Sequence, residues 1–98
     1  VRLRVAGNLE TAAAGAGLNI AEGSNARMGL ATLTAGAVTV NTAAVTANSR
    51  IFLTHQNNAG TPGFVSVTAR SPGTSFTVTS ASATDTSDIA WLIVEPSS

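Results

Sequence analysis

The chain contains no cysteine, no lysine and no tyrosine, and it has one tryptophan, one histidine and three phenylalanines in 98 residues. Without cysteine there are no disulfides and no thiolate metal sites, although this leaves the redox compartment open. Five arginines balance five carboxylates for a net charge of zero, so there is no basic footprint for nucleic acid or for an anionic membrane surface. No apolar run approaches the ~20 residues of a membrane-spanning helix. The amino terminus lacks a basic start followed by an apolar stretch. A chain that begins at Val1 reads as processed, renumbered, or a domain cut from something longer.

Charge is scarce as well as balanced. Charged residues make up 10% of the chain, against roughly 25% in ordinary soluble domains. A monomer of 9.7 kDa exposes roughly 5,000 Å², and ten charged side chains cover only a small part of that. Threonine and serine can coat strand faces, and burial against partner subunits can hide the remainder. The composition therefore favours an oligomer.

The dominant period in the sequence is two, the repeat of a half-buried strand. VRLRV (1–5), GLNIAEG (17–23), VSVTAR and SFTVTS all alternate apolar with polar residues. LATLTAGAVTVN (30–41) reads as a hairpin about Ala35-Gly36, where glycine can adopt positive φ. IFL (51–53) and IAWLIV (89–94) are apolar on both faces, which suits central strands or strands covered by a partner. Turn signals fall at Gly23-Ser24-Asn25, at Ala59 to Gly63 and at Ser71-Pro72-Gly73. TAAAGAG (11–17) is too short to hold a helix alone and reads as a linker. The expected layout is an amino-terminal strand and linker over 1–16 and a body over 17–98. About seven short strands with no helix predict an all-β fold, an antiparallel β-sandwich or jelly-roll-like domain.

The cluster Asn48, Ser49, Arg50 and His55 has the side-chain types of a hydrolase, but geometry opposes it. Ser49 and His55 are separated by an extended run of about 20 Å at ~3.3 Å per residue. Nothing in the sequence marks Asp85, Asp88 or Glu95 as a carboxylate behind His55, which reads as a strand-end or subunit-contact residue. Asn48-Ser49 reads as a strand lead-in, and Arg50 as solvated or paired with Asp85 or Asp88. Asp85 to Asp88 lacks the alternation and closing glutamate of a calcium loop and reads as a polar turn. Gly15 to Gly17 lacks the elements of a phosphate loop. No metal, cofactor or catalytic residue is expected.

Trp91 has apolar neighbours on both sides and reads as core, and Phe52 and Phe64 carry the same reading. Because one face of the two apolar strands exceeds what a single internal core can cover, Ile51, Phe52, Leu53, Trp91, Leu92 and Ile93 are the expected core and subunit-contact residues. A glycan-binding module is the alternative from another class, with Gln56, Asn57, Asn58 and a partly exposed Phe64 as its contact loop.

Three stretches, GLNIAEGSNARMG, TAAVTANSRIFLT and GTPGFVSVTARSPGTSFTVTSASATDTSDIAWLIVEP, carry a resemblance in their order and spacing. From about Gly17 to Pro96 the chain resembles a β-rich domain found near the carboxyl termini of tailed-bacteriophage virion proteins: tail fibres, tailspikes and head-surface structural proteins. In such relatives a segment like WLIVEP closes the polypeptide, as Ser97-Ser98 would here. The resemblance implies a virion location, a homotrimer in contact with other virion proteins, and a role as fibre or tailspike tip. A head-decoration or cement subunit on the capsid is the alternative. It brings no catalytic residues, since tailspike activity resides in a separate upstream domain.

Overall fold

The computed structural model describes residues 2–97. It is an antiparallel β-sandwich of six strands: β1 (Met28–Thr32), β2 (Ala37–Asn41), β3 (Arg50–Asn57), β4 (Val65–Ser71), β5 (Ser75–Ser80) and β6 (Asp88–Val94). Sheet A has the order β1-β6-β3 and sheet B the order β2-β5-β4. Only β4 and β5 form a hairpin within one sheet, turning at Ser71-Pro72-Gly73 with Gly73 at φ 74° and Thr74 N–H donating to the Ser71 carbonyl. Every other connection crosses between the sheets.

Alternation places the core. Ile89, Trp91 and Ile93 of β6 face Phe76 and Val78 of β5 across the sandwich, and all five are buried. The Phe76 and Trp91 rings meet edge to face, with centroids 5.4 Å apart and planes at 75°, the geometry their quadrupoles favour. Gly29 pairs with Trp91 across β1 and β6, and a Cβ there would lie 2.8 Å from the indole Cζ2. The indole therefore fills space that any side chain at position 29 would contest. Leu33 and Val45, both in connections between strands, are also fully buried and close the open ends of the sandwich.

The structure departs from the sequence reading in three places. First, residues 2–5 and 17–23 form no strand and, apart from Ile20, are exposed; Val1 lies outside the described residues. They pair with none of the edge strands, β1 and β3 of sheet A and β2 and β4 of sheet B, and a segment without a strand neighbour leaves its backbone groups to water.

Second, β1 and β2 do not form a hairpin. The turn itself is present, with Ala35 and Gly36 at φ 52° and 80° and Thr34 and Ala37 exchanging two backbone bonds. Leu33, however, donates its N–H to the Ser87 carbonyl, and β1 runs along β6 while β2 runs along β5. The chain thus passes from one sheet to the other at this turn.

Third, of the two apolar stretches expected as central or partner-covered strands, IAWLIV is the central strand of sheet A, as expected, and IFL is not central but lies in an edge strand, β3.

Candidate functional site

Register decides which side chains leave the sandwich. On sheet A the inward set is Gly29 and Ala31, Ile89, Trp91 and Ile93, and Ile51, Leu53 and His55. The outward set consists of the residues between them: Met28 and Leu30 from β1, Ala90 and Leu92 from β6, and Phe52 and Thr54 from β3. Leu30 is 60% exposed and Phe52 59% exposed, and Leu92 pairs directly with both Met28 and Phe52. This is a continuous apolar surface across three strands. It holds an open cavity of about 610 Å³ floored by Ala90 and walled by Leu30, Phe52, Leu92 and Glu22. Beside it a second hollow, about 380 Å³, is lined by Leu18, Ile20, Leu92 and Val94.

The outer face of sheet B has the same pleat and different chemistry. Thr39 pairs with Thr77, and Ser66 with Thr79. The hydroxyls of Thr39 and Thr77 are 3.2 Å apart, and those of Thr68 and Thr79 2.7 Å. These cross-strand hydroxyl pairs give the face polarity without charge.

Of the expected core and contact residues, Trp91 and Ile93 are buried, Ile51 and Leu53 are half-buried on the inner face, and Leu92 is half-buried on the outer face. Phe52 is not core: its place between Ile51 and Leu53 turns it to the outer face. Phe64 is not core either, being 79% exposed in the connection just before β4. Gln56 and Asn57 end β3 and Asn58 follows it, all exposed.

The polar residues of the Asn48, Ser49, Arg50 and His55 cluster separate into two structural knots. Ser49 is buried and donates its hydroxyl to Glu95 in a short hydrogen bond, and Thr46 donates to the same carboxylate at 2.6 Å. Those two hydroxyls, helped by Arg27 and Arg50, outweigh burial and hold the Glu95 carboxyl below its usual range. Arg50 pairs with neither Asp85 nor Asp88; it donates to the Asn48 carbonyl at 2.7 Å.

The second knot is centred on Asp85, whose side chain is fully buried. It accepts from the Ser80 hydroxyl at 2.7 Å, the Gly63 N–H at 3.0 Å and the Ser87 N–H at 3.0 Å, and His55 Nε2 lies 3.4 Å from it. Burial pushes this carboxyl up, but the hydrogen bonds from Ser87, Gly63 and Ser80 prevail and hold it well below the carboxylate range. Asp85 is thus the carboxylate beside His55 that the sequence did not mark. The legible sign was the run Asp85-Thr86-Ser87, in which an aspartate accepts from the backbone N–H two residues on.

The arrangement is not a triad. In a triad the imidazole sits between hydroxyl and carboxylate, whereas here Ser80 and His55 both reach the same Asp85 oxygen. The knot ties the 59–64 connection to the segment before β6, where Gly60 bridges Asp85 and Thr86 N–H donates to the Ala59 carbonyl. Among the described residues no three metal-ligating side chains come together.

The feature left without an internal role is the apolar outer face of sheet A. A family model described as K1 capsule-specific polysaccharide lyase, C-terminal domain, matches residues 25–94, a span that takes in all six strands. No curated protein matches the chain.

Proposed function

The chain belongs to the family of C-terminal domains of K1 capsule-specific polysaccharide lyases, and from that premise we propose that it is a structural domain of a bacteriophage tailspike, carried on the virion and assembled as a homotrimer. The family supports the tailspike form of the phage resemblance over the fibre and capsid-decoration forms. On this reading the lyase chemistry named in the family's description belongs to another domain, and this sandwich holds three copies together.

The observation that carries the assembly reading is the outer face of sheet A. Leu30, Phe52 and Leu92 form one surface on a chain that is 10% charged, and contiguous apolar surface of this kind is characteristic of interaction sites. Burial of roughly 800 Å² or more per subunit is the scale of a stable interface.

Incubating the 98-residue chain with K1 capsular polysaccharide and following the unsaturated sugar ends that a lyase produces tests the division of labour. No cleavage is expected, and cleavage that tracks the purified chain would overturn it. Labelling the chain in purified phage particles, with signal expected at the tail, tests the location.

A second role, contact with host-surface glycan, draws on the exposure of Phe64. Binding on a glycan array that disappears in Phe64→Ala, with the fold intact, is the result that favours it. Binding unchanged in that variant would remove Phe64 from the reading.

A further inference from the structure

The molecule exposes more surface than its mass requires. Its accessible area is 6603 Å², against roughly 5,100 Å² for a compact monomer of this size, a surplus of roughly 1,500 Å². Its radius of gyration is 15.0 Å, where a compact chain of this length has about 13 Å. An exposed amino-terminal arm precedes the sandwich. Residues 2–19 are all exposed and form no strand, and Leu3, Val5 and Leu9 are 80%, 46% and 74% exposed.

Those residues do not have the composition of a solvated tail. Arg2, Leu3, Arg4 and Val5 alternate as a strand does, presenting two apolar side chains to one side and two guanidinium groups to the other. An arm of this pattern suits a surface that is apolar at its centre and acidic at its margin. The outer face of sheet A offers that apolar centre: the cavity of about 610 Å³ is walled by Leu30, Phe52 and Leu92 with Glu22 as its charged wall residue, while Arg50 and Asp88 lie farther out on the same face. Among the described residues Glu22 has no ion-pair partner.

Resting on the homotrimeric assembly proposed above, we propose that the arm of a second copy of this chain occupies that cavity. Leu3 and Val5 of the neighbour insert between Leu30, Phe52 and Leu92, and its Arg2 or Arg4, on the outer side of the arm, bends over the rim of the cavity to Glu22. Each copy gives an arm to the next and receives one, the head-to-tail arrangement that closes into a ring. The strand-like period of the arm is then expressed only in the assembly, and the surplus surface matches the order of area that a permanent interface buries per subunit.

The absence of cysteine makes the test direct. Differently tagged Leu3→Cys and Thr54→Cys chains are co-expressed and treated with a short bis-maleimide. Both positions are exposed, so neither variant disturbs the core. The expected product is a covalent dimer carrying both tags, absent when either variant is treated alone. Leu3→Asp combined with Val5→Asp should also raise the concentration of half-dissociation about ten-fold or more. An oligomer, seen by light scattering, that yields no mixed dimer overturns the arm placement while leaving the trimer standing. A Leu3→Cys, Thr54→Cys double variant that links within one chain shows the arm seated on its own sheet and likewise overturns it. A chain that is monomeric throughout removes both this inference and the assembly on which it rests.

Discussion

The outer faces of the two sheets are built from strands of similar length and the same alternation, yet one is apolar and the other is covered in hydroxyls. On sheet B the residues between Phe76, Val78 and Ser80 are Thr77 and Thr79, and they pair with Thr39, Ala69, Ala37 and Ser66 on the flanking strands. On sheet A the residues between Ile89, Trp91 and Ile93 are Ala90 and Leu92, and they pair with Leu30, Met28, Thr54 and Phe52. Both inner faces serve one core. Only the face of sheet B is finished for water, so the fold has one side that is complete alone and one that is suited to a partner.

The inner faces should behave alike when broken, and this is the largest effect. Trp91→Ala and Phe76→Ala each remove one ring of the same edge-to-face pair, and each should cost about 3–5 kcal/mol. Chemical denaturation of both variants checks this. A cost for Trp91→Ala far below that for Phe76→Ala would mean that sheet A contributes little to the core.

The outer faces should differ sharply. Phe52→Asp, on sheet A, should weaken self-association at least about ten-fold and leave the fold of each subunit intact, whereas Thr39→Asp, on sheet B, should leave association unchanged. Sedimentation of the two variants across a concentration series separates them. Equal effects would erase the distinction between the faces.

The two carboxylate knots predict acid sensitivity. Asp85 and Glu95 both titrate in the folded protein below their usual range. The unfolded chain therefore binds protons first as pH falls. The stability they contribute is present above the ordinary carboxylate range near pH 4 and is lost progressively below it. Melting temperature followed from pH 7 to pH 3 should fall at the acid end, and Asp85→Asn should flatten that fall. The effect is expected to be common to both sheets, because Asp85 accepts from Ser80 at the end of β5 and lies beside His55 of β3. The smallest change is Thr68→Val: it removes one hydroxyl of the Thr68–Thr79 pair and should alter stability by no more than about 1 kcal/mol.

Much of this comparison was legible in the sequence, because a period of two reports which residues share a face. SFTVTS gave the Ser and Thr side of β5 directly, and the apolar run IAWLIV announced a strand with two greasy faces. The period does not report the neighbour. VRLRV alternates as cleanly as SFTVTS, but only the latter lies between two partner strands, so the same pattern marks an exposed arm in one case and a central strand in the other. LATLTAGAVTVN failed for a related reason. Its turn forms as the glycine suggested, but the choice between pairing with each other and pairing with β6 and β5 is made by residues 34 to 64 positions away.

The Asp85 knot was the least legible feature. Its partners Gly63, Ser80 and Ser87 are common residues that become a binding set for one carboxylate only when the β3–β4 and β5–β6 connections meet at the end of β5.

Molar mass in solution tests the central claim most directly, since the account holds that the outer face of sheet A is a subunit interface. Light scattering on the purified chain at low micromolar concentration should give three times 9.7 kDa, reduced to the single-chain value by Phe52→Asp. A well-folded, soluble chain that remains at 9.7 kDa as concentration rises would contradict it.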